Sequence, residues 1–237
     1  MENTISVIIP VYSYGQYLRQ ALESVCNQSV KPHEIIIVSD GAIDNSVQIA
    51  KEVMAEHPEH NFILIEKENG GLSSARNAGI ARATGKYIMS FDSDDLMRPD
   101  CLKEHLKLAG DDKIVTCALM AFGSENYTAY PRKATIDILL KTNCIYSNSL
   151  FPRKMWEDVG GFDESEIMRL GWEDRLYFLE ALGVGYESVV SKEVCLLWRR
   201  HGKTMSSTTA NPNAQKLQEY IYNKCKHLSD HKWLGYY

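Results

Sequence analysis

The chain has 237 residues and a formal net charge of -5, with 26 Lys and Arg against 31 Asp and Glu. That balance argues against a general nucleic-acid binder, which carries a basic surplus, and leaves room only for a local basic pocket. With 44% hydrophobic and 24% charged residues it has the composition of an ordinary globular protein with ample core. No apolar run approaches the roughly 20 residues of a membrane span, and the N-terminus lacks the basic-then-apolar pattern of a signal peptide. The expected setting is the cytoplasm, with contact at the inner face of a membrane as an open alternative. Cys26, Cys101, Cys117, Cys144, Cys195 and Cys225 include no C-x-x-C pair. They read as reduced structural thiols rather than a disulfide framework or a zinc site.

The elements alternate through the first half. Ile5–Val11 is a β-rich apolar run expected of a strand buried on both faces. Leu18, Ala21, Leu22 and Val25 then recur at helical spacing, predicting a helix over Gly15–Cys26. Residues 34–38 form a second apolar strand, and Asp44, Asn45 and Ser46 offer caps for a helix with Val47, Ala50, Val53 and Met54 on one face. Residues 62–65 make a third strand before the loop Glu68-Asn69-Gly70-Gly71, and a helix through Ala75, Ala78 and Ala81 leads to a strand at Tyr87–Ser90. Strict alternation indicates βαβ units on a mainly parallel sheet flanked by helices, an α/β fold.

Beyond Pro99 the pattern loosens. A helix over 99–108 and a strand over 114–119 precede a polar, irregular stretch at 123–150 with a helical piece near 135–141. A turn at Gly160-Gly161-Phe162-Asp163 and a helix starting near Trp172-Glu173-Asp174 follow. The next strand covers 185–190 or continues toward 195–198, and Ala214–Cys225 has the spacing of an amphipathic helix. With no repeat, low-complexity tract or linker, the expectation is one domain over 1–237. Within it the expected divisions are 1–98, 99–210, and a C-terminal helix and tail over 211–237. The aromatic ending Trp233-Leu234-Gly235-Tyr236-Tyr237 is open to three readings: partner or membrane contact, packing on the domain, or continuation into a longer chain.

Open α/β sheets bind ligands outside the carboxyl ends of their strands. Tyr12, Asp40, the Asn69 loop and Asp92 all fall just past strand ends, so they should share one edge. The cluster Asp92-Ser93-Asp94-Asp95 has two readings on its own residues. It caps the next helix as an acidic turn, or its crowded carboxylates hold a hard divalent cation that shares phosphate oxygens.

The ordered motifs carry a resemblance. Ser6-Val7-Ile8-Ile9-Pro10-Val11-Tyr12, Ser39-Asp40-Gly41, Gly70-Gly71-Leu72-Ser73-Ser74-Ala75-Arg76-Asn77, the Asp92 cluster, Gly160-Gly161-Phe162-Asp163 and Glu173-Asp174 occur in this order. In this series the chain resembles family 2 glycosyltransferases, inverting nucleotide-sugar transferases of GT-A fold. The resemblance implies a donor site at Pro10, Tyr12, Asp40, Arg76, Asp92 and Ser93. Tyr12 would stack on uracil, Asp40 would accept from a base N–H, and Arg76 would hold base or diphosphate. Family members often follow the Asp40 motif with a hydroxyl residue and Thr, whereas Ala42 and Ile43 stand here. The resemblance further implies Mn²⁺ or Mg²⁺ at Asp94 and His201, with Asp95, Glu173 and Arg200 in support and Lys203 adding positive charge. Asp174 would be the general base that deprotonates the acceptor hydroxyl. The implied partners are a nucleotide sugar, UDP-linked, and a saccharide or lipid-linked saccharide acceptor, with no nucleic acid. His227 and His231 share helical spacing but read as a solvated face. Two rivals remain: a nucleotidyltransferase, which normally needs a Gly-rich basic loop that the segment after Pro10 lacks, and a non-catalytic nucleotide-sugar binder.

Overall fold

The structure, a computed structural model, describes residues 3–201 and 206–229. Lys203, His231 and the aromatic ending at 233–237 lie outside them. The first half alternates as β1 (Ile5–Val11), α1 (Gly15–Cys26), β2 (Glu34–Asp40), α2 (Ser46–Glu56), β3 (Phe62–Lys67), α3 (Leu72–Arg82) and β4 (Tyr87–Ser90). The second half runs β5 (Leu96–Met97), α4 (Cys101–Leu106), β6 (Lys113–Gly123), β7 (Tyr127–Ala129), α5 (Ile136–Leu139), β8 (Leu150–Pro152) and α6 (Arg153–Val159). It then continues with α7 (Glu173–Gly183), β9 (Glu187–Arg200) and α8 (Ala214–Cys225).

Among the described residues all nine strands join one sheet in the order β3-β2-β1-β4-β8-β6-β9-β5, with β7 alongside β6. The β3-β2-β1-β4 run is parallel. β8 pairs antiparallel with β4 and β6, while β6 and β9 are parallel. The fold is thus mixed α/β, a sheet with a parallel first half and helices on both faces.

Continuous apolar runs are what a sheet covered on both faces needs, and every residue of β1 and β2 is buried. Successive side chains serve opposite layers. Ile8, Ile36 and Val38 pack with α3, α7 and α8, whereas Val7, Ile9, Ile35 and Ile37 pack with α1, α2 and α4. Gly79 lets α3 lie close on the sheet, since a Cβ there would sit 2.4 Å from Ile8 Cγ2. That approach seats Arg76, one turn earlier, at the sheet surface.

The second half corrects several expectations. The helical piece expected near 135–141 is the four-residue α5, but the stretch 123–150 also contains the strand β7, and β5 was not foreseen at all. β9 is one strand of 14 residues, spanning both alternatives left open by the sequence, and the β6–β9 register slips around Cys117 to Leu119. No helix among the described residues is long and apolar enough to cross a membrane.

Candidate active site

A cavity of about 630 Å³ opens along the carboxyl edge of the parallel strands. Its lining includes Pro10, Tyr12, Asp40, Arg76, Asp92, Ser93, Asp94, Glu173 and Asp174, so nine residues singled out in the sequence share one space. Most sit at the boundary of an element: Tyr12 follows β1, Asp40 closes β2, Asp92 follows β4, and Glu173 and Asp174 open α7, while Arg76 reaches in from within α3. Asp95, Arg200 and His201 are not part of that lining. The size suits a nucleotide-scale ligand.

On the floor, Asp40 shapes the loop beside it. Its carboxylate accepts the Gly70 N–H at 2.9 Å and the Gly71 N–H at 2.8 Å, while Lys67 Nζ lies 2.8 Å away. Gly71 has φ +90, a left-handed conformation that glycine adopts without strain, and α3 starts from it. Arg169 closes the outer side, donating to the carbonyls of Asn69 and Gly70. The sequence offered no sign of Lys67 or Arg169, since neither belongs to a motif. Tyr12 is 44% exposed, leaving a ring face open to the cavity.

The acidic cluster divides its labour. Asp92 accepts from Arg76 and from Ser147 Oγ, and its N–H donates to Asn148. Asp94 Oδ2 is 3.0 Å from His201 Nε2, and the His201 ring lies between Tyr14 and Tyr17. Burial, reinforced by the charge of Asp92, raises the Asp94 pKa, and His201 opposes the rise. Asp95 is buried, with one oxygen accepting the Arg199 N–H and the other the Asn148 amide. Burial and then its acidic neighbours push its pKa well up. Asp95 therefore ties the loop to β9. The carboxylate of Asp94 and the imidazole of His201, 3.0 Å apart, are donors of the kind that hold Mn²⁺, whereas the two oxygens of Asp92 are engaged by Arg76 and Ser147.

Two expected contacts are different in the structure. Arg76, expected to reach base or diphosphate, is 1% exposed and inward-facing. It donates to Ser90 Oγ at 2.9 Å, to Glu173 and to Asp92 at 3.0 Å. A buried guanidinium needs compensating carboxylates, and the acids on both sides of the cavity supply them. Arg200, expected beside phosphate, instead pairs with Glu125 at 3.0 Å and covers the Trp198 ring.

Asp174 stands at the second position of α7, partly buried. Its oxygens accept the Arg175 N–H at 2.7 Å and the Asn143 amide at 3.2 Å. Burial and the adjacent Glu173 charge push its pKa up to about 7, against the pull of Arg76 and of those two bonds. Trp172, just before the helix, has φ 62, the one left-handed non-glycine among the described residues. Strain of this kind persists where the surroundings enforce it; here Trp172 lies over Arg175, itself bonded to Leu139 O and Gln218.

Asn77 links two of the motifs. Its amide donates to Phe162 O and Glu164 and accepts the Phe162 N–H and Trp156 Nε1–H, all within 2.9 Å. Phe162 in turn stacks on Tyr177 of α7 at 4.0 Å. The Asn77→Ala variant is expected to lose about 2–3 kcal/mol of stability in a denaturant titration, since it leaves partly buried partners unmatched.

Residues 6–169 match the family model described as glycosyl transferase family 2. The chain belongs to that family. It is 28% identical to a chondroitin synthase of Pasteurella multocida, across 92% of this chain and 22% of that one. It is 41% identical to the putative glycosyltransferase EpsH of Bacillus subtilis over 48% of this chain and 33% of that protein. The chain thus spans a third or less of the length of these curated relatives. Among solved structures, Staphylococcus aureus TarS (residues 1–349) with UDP-GlcNAc matches with TM-score 0.76 and 19% identity, covering 97% of this chain and 68% of that one. A mannosyltransferase of Pyrobaculum calidifontis, in complex with GDP-Man and Mn²⁺, matches with TM-score 0.71 and 19% identity, covering 96% and 65%. At such identities the two structures speak for the fold alone.

Proposed function

We propose that this family 2 glycosyltransferase chain moves a sugar from a UDP-linked donor to an acceptor hydroxyl with inversion at the anomeric carbon. The observation that carries the reading is Asp174: a partly buried carboxylate at the start of α7, on the cavity shared with Asp92 and Asp94, with burial and Glu173 pushing its pKa up to about 7. In this reading Tyr12 stacks on the base, Asp40 holds the Gly70-Gly71 loop beside it, and Asp92 and Ser93 take the ribose and diphosphate region. A divalent cation held by Asp94 and His201 would neutralise charge growing on the departing diphosphate. Asp174 takes the acceptor proton as the hydroxyl oxygen attacks, and its bonds from Asn143 and Arg175 fix the carboxylate during the transfer. A saccharide or lipid-linked saccharide is the proposed acceptor. The naming of one relative as a chondroitin synthase supports the saccharide class.

A panel of UDP- and GDP-sugars, offered with saccharide acceptors with and without Mn²⁺, tests the reading. Mn²⁺-dependent release of UDP is expected; absence of both release and UDP binding across the panel would refute it. The pH dependence is equally specific. Asp174 must be ionised to act, so log kcat/KM should climb from pH 5 and level off above about 7. Because the Glu173 charge helps raise that pKa, Glu173→Gln should move the rising limb to lower pH. An unshifted limb would separate Asp174 from the profile.

A further inference from the structure

The six cysteines carry no metal-binding spacing in the sequence, yet the fold gathers half of them around a histidine. Cys101 and His105 lie on α4, Cys117 on β6 and Cys195 on β9, all in the core layer opposite α3, α7 and α8. Exposure is 0% for Cys101, His105 and Cys117 and 1% for Cys195. His105 Nδ1 is 3.6 Å from Cys117 Sγ and 3.7 Å from Cys101 Sγ. The donor atoms of His105, Cys117 and Cys195 all lie within 4.8 Å of one another.

We infer that His105, Cys117 and Cys195 hold a thiophilic d¹⁰ cation, Zn²⁺, separate from the sugar-transfer cavity, with Cys101 Sγ, 3.7 Å from His105 Nδ1, closing the fourth position. Tetrahedral zinc with sulfur at about 2.3 Å and nitrogen at about 2.0–2.1 Å places its ligands roughly 3.5–3.8 Å apart, close to the two distances measured here. His105 turns Nδ1 into the cluster, where it meets the Cys101 carbonyl at 2.8 Å and the thiols of Cys101 and Cys117. Metal binding releases the thiol protons, and the Nδ1 proton moves to Nε2, which frees the Nδ1 lone pair for the metal at the loss of its bond to the Cys101 carbonyl. The bound ion would pin α4 to β6 and to β9, whose end at Arg199 holds the acidic loop.

The test is protein produced in cobalt-supplemented medium and treated with EDTA, which strips solvent-accessible cation sites. Retention of about one cobalt per chain with intense near-ultraviolet thiolate-to-cobalt absorption is expected. Asp94 and His201 offer no thiolate, so metal at the sugar-transfer cavity cannot produce that band. Cys117→Ser and Cys195→Ser should each weaken or abolish it, while Cys225→Ser leaves it intact. No retained cobalt, cobalt without the charge-transfer band, or a band indifferent to Cys117 and Cys195 overturns the site. Should a serine variant fail to fold, the spectrum and metal content of the unaltered protein still decide.

Discussion

Asp174→Asn should lower kcat by about 10²–10⁴-fold while UDP binding changes little, the span a positioned general base typically contributes. The substitution keeps shape and the Arg175 N–H contact, because an amide oxygen still accepts, but it removes the basic oxygen. It also removes a charge that sits beside Glu173 at a helix start, so the folded protein should not weaken. Calorimetry with UDP and turnover with the best donor therefore dissociate: binding persists and transfer fails. Wild-type-like turnover would sink the assignment, and equal loss of binding and turnover would point to a collapsed cavity. The remaining acid in reach, Glu173, is engaged by Arg76 and is 5% exposed. It is badly placed to take over.

What the sequence disclosed follows from how each feature is encoded. β1, β2 and β4 are buried on both faces and write themselves as unbroken apolar runs, so the parallel half was legible. β5 and β7 have two and three residues, too few for any period to register. β9 mixes charged residues into 14 positions because much of it is only half-covered, which blurred its extent. At the site, residues ending strands were legible because chain order fixes which edge they share. Contacts made across the fold were not. Arg76 and Glu173 are 97 positions apart, and nothing local distinguishes a solvated helical arginine from one buried between two acids. The same holds for Asn77, which looks like a donor-loop residue yet clamps the turn at Phe162 85 positions later. Arg199 gave no signal either, although its backbone and guanidinium hold Asp95 and the Asp94 carbonyl. The thiols gathered around His105 come from three elements, where spacing rules for metal sites have no purchase.

Asp94→Ala should cost on the order of 10³-fold in kcat/KM, the equivalent of about 4 kcal/mol of transition-state stabilisation. The residue combines a carboxylate aimed at His201 with a backbone carbonyl held by Arg199. Truncation removes the first and spares the second, so the loop should keep its course. Crowding argues the same way: Asp92, Asp94 and Asp95 repel one another, and deleting one carboxylate relieves that repulsion. The metal-free variant should accordingly unfold at no lower denaturant concentration than the parent. Its loss should appear instead as a flat response to Mn²⁺, with UDP affinity no longer rising when the cation is added. His201→Ala should give a smaller version of the same defect, because imidazole is the more replaceable ligand when water can enter. If UDP affinity in Asp94→Ala still rises with Mn²⁺ as it does in the parent, the cation is held elsewhere. Asp92, whose two oxygens face Arg76 and Ser147, then becomes the residue to replace.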